Sequence, residues 1–180
     1  MIKENVFLLS VTQKVIFFLI IIIFLIFVFI IIKNIIINKK INKKISDICE
    51  KSGYILKKKY DSADFLIQRN NSLVKLLIVK IPKNSSITVN SKLTWCLRWG
   101  GKRVGRSYPN MRYMNEVISF LKSNSDSKMT KLVALYPETE KIQKYLNESE
   151  IAVVNSGECV YDYVIINFND LYSFLKKNDN

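Results

Sequence analysis

The chain has 180 residues, no histidine, three cysteines and a formal net charge of +13. Without imidazole, Ser-His and Cys-His nucleophile systems are excluded, and without a Cys-x-x-Cys pair so is an ordinary structural zinc site. A balance this basic points to an anionic partner, nucleic acid or a membrane surface, although Ile, Lys and Asn are all abundant and lysine number alone discriminates poorly.

After a short tail over residues 1–14, residues Val15–Ile32 run for 18 positions without a polar side chain. Lys33 and Asn34 interrupt the run and Ile35–Ile37 extend it. The stretch 15–37 therefore reads as one transmembrane helix, with Lys33 reaching the headgroups. It is too long for a cleaved leader and carries no small-residue cleavage site. Lys3 and Lys14 precede it, with Glu4, whereas Lys33, Lys39, Lys40, Lys43 and Lys44 follow it. That bias places the N-terminus outside and the C-terminal domain in the cytoplasm. An odd, scattered set of cysteines (Cys49, Cys96, Cys159) agrees with a reducing compartment, each read as a small buried hydrophobe. No Gly-x-x-x-Gly pairing motif occurs in the run. Residues 38–44 form a basic juxtamembrane linker suited to anionic lipid. Residues 45–180 form one domain of ordinary size.

Within that domain, helical spacing of Ile41, Ile45, Ile48 and Cys49 predicts a helix over 41–52, stopped by Gly53. Strands are predicted over Tyr54–Lys58, Ala63–Gln68 and Leu73–Ile81, with a turn at Asn70-Asn71. Ile87–Val89 and Lys92–Trp99 follow as strands, and Gly100-Gly101 turns the chain into Lys102–Ser107. A helix is expected to start near Ser107–Pro109, capped by Ser107 or Asn110, with Met111, Met114, Val117, Ile118 and Leu121 on its apolar face. Met129–Leu135 reads as a buried strand and Thr139–Leu146 as a short helix, with Glu138 and Glu140 at its start favoured by the helix dipole. Ile151–Val154 and Val160–Ile166 read as strands. Asn167 caps a last helix carrying Leu171, Phe174 and Leu175. The order predicts an α/β (α+β) single sheet with helices packed on it.

Five of the 28 basic residues are arginines, and all lie between positions 69 and 112: Arg69, Arg98, Arg103, Arg106 and Arg112. From Phe65 to Asn115 there is no Asp or Glu, while Lys75, Lys80, Lys83, Lys92 and Lys102 add to the arginines. A single-sign block of this length suggests a phosphate-bearing partner. Trp95, Trp99 and Tyr108 lie among the charges, either as stacking surfaces or as core and hairpin residues. Gly100–Arg106 lacks the order of a P-loop and reads as a hairpin tip able to touch phosphates.

Asp64 begins one predicted strand and Lys80 ends the next, so antiparallel pairing brings them to one end. An Asp, with a second acid two residues before a Lys, would hold Mg²⁺ and position a hydrolytic water. At this point the chain resembles the nuclease-related domain (NERD) family, a branch of the PD-(D/E)XK restriction-endonuclease-like fold. Asp64–Ile67 resembles that family's Asp-led strand, and Leu77–Lys80 its Glu-x-Lys strand. Trp95 resembles the Trp before its basic hairpin, and Tyr108–Arg112 its Asn-Pro-x-x-Gln helix start. Leu132–Tyr136 and Asn169–Leu175 resemble its later strand and closing helix. The resemblance spans residues 42–177 and implies a mixed sheet flanked by helices. It implies Asp64 as the metal ligand and Asp64 with Lys80 as the catalytic pair.

Two positions depart from the family pattern. The metal-binding Glu falls on Ile78, which cannot ligate a hard cation, and the Gln falls on Arg112. A replacement carboxylate would have to come from Asp47, Glu50, Asp61 or Glu116. The resemblance therefore implies a degenerate site. The reading that follows is a membrane-anchored domain that binds nucleic acid through Arg98, Lys102, Arg103, Arg106 and Arg112 without cutting it, and with no cofactor. The alternatives are a Mg²⁺-dependent nuclease with a displaced acid, and a non-enzymatic protein docking anionic lipid or a protein partner.

Overall fold

In the computed structural model the described residues are 11–60, 62–70, 72–100, 109–123, 129–147 and 150–177. The chain forms two compact units, Met1–Ile45 and Ser46–Asn180. The first is carried by α1 (Val11–Lys51), a single 41-residue helix. Its most apolar 18-residue window has a mean hydropathy of 3.9, and its apolar side chains from Val15 to Ile36, except half-buried Val28, are exposed. By length and composition this one helix can cross a membrane: the 15–37 stretch spans roughly 35 Å at 1.5 Å per residue. Residues 38–44, read as a linker, lie within the same helix. Gly53 (φ +69°) ends it, with Tyr54 N–H donating to Cys49 O at 2.9 Å, a turn that glycine's freedom at positive φ permits.

In the second unit, β1 (Ile55–Tyr60), β2 (Ala63–Arg69) and β3 (Ser72–Lys80) form an antiparallel meander. The β2–β3 turn includes Asn70 at φ +48°, which asparagine tolerates. After β4 (Ser85–Ser91), β5 (Thr94–Trp99), β6 (Asn110–Tyr113) and α2 (Asn115–Lys122), the chain returns as β7 (Met129–Tyr136), parallel to β3. Next come β8 (Lys141–Tyr145), β9 (Ile151–Val154), β10 (Glu158–Val160), β11 (Tyr163–Asn167), a 3-10 turn (Phe168–Asp170) and α3 (Leu171–Lys177). These strands make two mixed sheets, ordered β1-β2-β3-β7-β11-β10 and β6-β5-β4-β8-β9.

A single sheet was expected, and the structure has two. One apolar cluster draws on both of them and on α2. Leu77, Val79, Val133, Leu135 and Ile165 enter from the first sheet. Ile87, Val89, Trp95, Leu97 and Ile142 enter from the second, with Val117, Phe120 and Leu121 from α2. Burying two apolar sheet faces against each other removes more surface from water than one sheet could.

The helix expected over 139–146 is strand β8. Thr139 Oγ1 and Glu140 N–H both donate to Ser85 O, at 2.8 and 3.1 Å, and lay the chain parallel to β4. The helix expected from 107–110 begins instead at Asn115, because Asn110–Tyr113 pairs with β5. Met111, expected on its buried face, is exposed. Val160–Ile166 is two strands, bent at Tyr161 (φ +60°). Asn167 makes no side-chain cap; its Oδ1 accepts from Thr139 N–H at 3.0 Å.

A charged residue completes the packing. Lys131 is buried and its Nζ donates to Leu121 O (2.6 Å) and Ser123 O (2.8 Å), two carbonyls at the C-terminal end of α2. A cation there satisfies acceptors that the helix leaves open and opposes the helix dipole.

Burial also sorts the thiols. Cys49 is buried and its thiol is pushed up to about 11 by desolvation, while Cys96 is buried and Cys159 exposed. At pH 8 roughly one Cys49 thiol in a thousand is then ionised. Mass spectrometry after iodoacetamide treatment should find Cys159 alkylated first, with Cys49 and Cys96 reacting only in denaturant.

Candidate nucleic-acid interface and the Asp64–Lys80 strand end

Asp64 and Lys80 come to the same end of the meander, since β2 starts where β3 finishes. The β2–β3 register runs from Arg69↔Ser72 to Phe65↔Leu76 and stops there. One residue further, Asp64 Oδ2 accepts from Ile78 N–H at 2.8 Å. The carboxylate thus substitutes for the ladder where the two strands part. Lys80 lies two residues beyond Ile78, roughly 7 Å along the strand, and is exposed. Asp64 and Lys80 form no ion pair among the described residues; the Ile78 backbone N–H is Asp64's partner instead.

A Mg²⁺ centre needs several converging oxygen ligands. Here Asp64 gives one oxygen to the backbone, and the side chain two residues before Lys80 is the isoleucine of Ile78. Of the replacement acids, Glu116 is taken by Arg112, whose Nη2 and Nη1 donate to Oε1 and Oε2 at 2.8 and 3.2 Å. Asp47 and Glu50 are exposed on α1, and Asp61 lies outside the described residues. This donor set does not fit the ion.

The Asp64 role can be tested by stability. Asp64→Ala should lower the unfolding free energy by about 1 kcal/mol by stranding the Ile78 N–H, and Asp64→Asn, which keeps an acceptor, should recover most of it. Urea titration of the full chain in detergent measures both.

The basic block divides on inspection. Lys75, counted among its charges, is only 2% exposed on a central strand. Lys92 Nζ is ion-paired with Asp162 Oδ2 at 2.8 Å, which holds that carboxyl below its ordinary value. Arg69 lies over the Tyr54 ring, its guanidinium carbon 5.4 Å from the centroid. Arg98 and Arg112 were expected on one face. The register pairs Arg98 with Met111 and Arg112 with core-facing Leu97, so the two arginines leave the second sheet on opposite sides. Trp95 is fully buried, its ring centroid 5.3 Å from that of Tyr163, and Trp99 packs against the core, so neither is an open stacking surface. Tyr108, Lys102, Arg103 and Arg106 lie outside the described residues.

Exposed cations nevertheless converge by topology. Lys80 ends β3, Lys83 lies in the connection to β4, and the start of β4 pairs with the end of β5 (Ser85↔Trp99, Ser86↔Arg98). The segment with Lys102, Arg103 and Arg106, outside the described residues, connects that same end of β5 to β6, where Trp99 pairs with Asn110. Gly100 closes its base at φ +94°. A Cβ there would lie 2.8 Å from Asn110 Nδ2 and 3.1 Å from Pro109 Cγ, and the positive φ strains any other residue. Sequence reading counted Lys80 and Lys83 in the basic block but did not place them at the same end as Arg98, which follows from the β4–β5 register.

In comparisons with known proteins, no family model, no curated protein and no solved structure matches this chain.

Proposed function

We propose that the protein is a single-pass membrane protein, N-terminus outside, whose cytoplasmic domain binds nucleic acid on a nuclease-related scaffold that no longer cuts. The observation that carries this reading is the meeting of Lys80, Lys83, Arg98 and the root of the Lys102–Arg106 loop at one end of the two sheets. Phosphates are contacted there by side chains drawn from two strands and two connecting segments, with no carboxylate in the intervening sequence to repel them. The mixed sheet, with its Asp-led strand paired to the strand that ends in Lys80, supports the restriction-endonuclease-like scaffold. Ile78, together with the engagement of Asp64 by the backbone, supports loss of Mg²⁺-dependent cleavage. Arg112 is left out of the interface because Glu116 holds it.

Fluorescence anisotropy with labelled DNA and RNA oligonucleotides, on the full chain in neutral detergent, tests the reading. Binding at low salt that weakens steeply as salt rises, with the oligonucleotide intact after incubation with Mg²⁺ or Mn²⁺, is the expected result. Absence of binding at low salt overturns it, and metal-dependent cleavage lost in Asp64→Ala restores the active-nuclease reading.

A further inference from the structure

We propose that β9 is a self-association edge, through which two copies of this chain pair antiparallel about a two-fold axis at Ala152. Sheet edges present unpaired backbone groups and are ordinarily blunted by charge or brevity. The edge strand β1 carries Lys57, Lys58 and Lys59, β10 is three residues long, and β6 carries Arg112. The remaining edge, β9, reads Ile-Ala-Val-Val and carries no charge. Ile151 and Val153 are 47% and 60% exposed.

The backbone of β9 is set for a strand and for little else. Leu146 N–H donates to Glu150 O at 3.0 Å, which fixes the alternation along the β8–β9 ladder. Ala152 and Val154 then bond inward to β8, whereas the N–H and C=O groups of Ile151 and Val153 point away from it. Asn155 N–H is taken by Glu158 Oε2 at 2.9 Å, which ends the open edge on that side. Two outward donors and two outward acceptors remain.

A second copy is the occupant these features select. Antiparallel pairing that sets Ile151 against the partner's Val153 uses every outward group of both strands. It also brings the two exposed branched side chains together across the strands, a favourable cross-strand pair. The residue that meets itself on the axis is alanine, so neither volume nor like charge opposes it.

The test uses the full chain in detergent, with sedimentation equilibrium as the readout. Val153→Pro removes an outward N–H without touching the ladder to β8. Ile151→Lys places a charge on the edge and serves if the proline variant does not fold. Either should weaken dimerisation by roughly tenfold or more, with circular dichroism unchanged. In a Cys159→Ser background, Ala152→Cys should yield a disulfide-linked dimer on mild oxidation, and Ser119→Cys, on the exposed face of α2, should not. A chain that stays monomeric at about 100 μM, well above the Kd of a weak dimer, overturns the proposal. So does a dimer indifferent to both β9 substitutions, or equal cross-linking at positions 152 and 119.

Discussion

Trp95→Ala is expected to lower the unfolding free energy by about 3–5 kcal/mol, the largest single-residue effect in the domain. The indole is fully buried and stacks at a tilt on Tyr163, so it links β5 of one sheet to β11 of the other. Its removal leaves a cavity that neither sheet can close without shifting its partner, and a loss of this size is a large share of a typical domain's stability. Trp95→Phe should recover more than half of the loss by refilling most of the volume. Urea denaturation of the full chain in detergent, followed by far-ultraviolet circular dichroism, checks both variants. A loss below about 1 kcal/mol would place Trp95 at a surface after all, where stacking on a base is again open to it.

Charge removal at the strand end should have the second-largest effect. Replacing Arg98, Lys102, Arg103 and Arg106 together by alanine is expected to weaken oligonucleotide binding roughly 100-fold near 0.1 M salt. It should also flatten the slope of log K against log salt by about 3 to 4, since each lost phosphate contact removes about one released counterion. Arg112→Ala should change affinity by less than about twofold, because its guanidinium is committed to Glu116. The paired outcome discriminates between a placed interface and a merely positive surface. If all five residues contribute alike, the charge is diffuse and its location in the fold is immaterial. If the quadruple variant binds as tightly as the native chain, the proposed interface is wrong.

How much of this was legible in the sequence depended on how local each signal was. The apolar helix, the Gly53 stop and the strands β2, β3 and β7 were read directly, because continuous apolar runs bounded by turn residues leave little choice. Strand β8 was not, since Lys141–Tyr145 mixes polar and apolar residues at a spacing that a short helix also allows. What decides it is Ser85 O, a backbone acceptor more than fifty residues away. Division into two sheets rests on the same long-range pairing of β4 with β8. Lys75 was counted in the basic block that suggested a phosphate-bearing partner, but it is buried on β3, inside the first sheet. At the proposed interface, residue types were legible and faces were not. Strand alternation puts Arg98 and Arg112 on opposite sides, and that parity is visible only once β5 and β6 are known to be paired.

Gly100 has a wider consequence. Because β5 and β6 close where Gly100 meets Pro109 and Asn110, the described frame ends there, and the segment between carries Lys102, Arg103 and Arg106 of the proposed interface. Substitutions, insertions or a wholesale graft between those anchor points leave the strand pairing beneath intact. On the proposed reading, affinity and preference then drift independently of stability, and the scaffold tolerates change in the stretch where a ligand would register it.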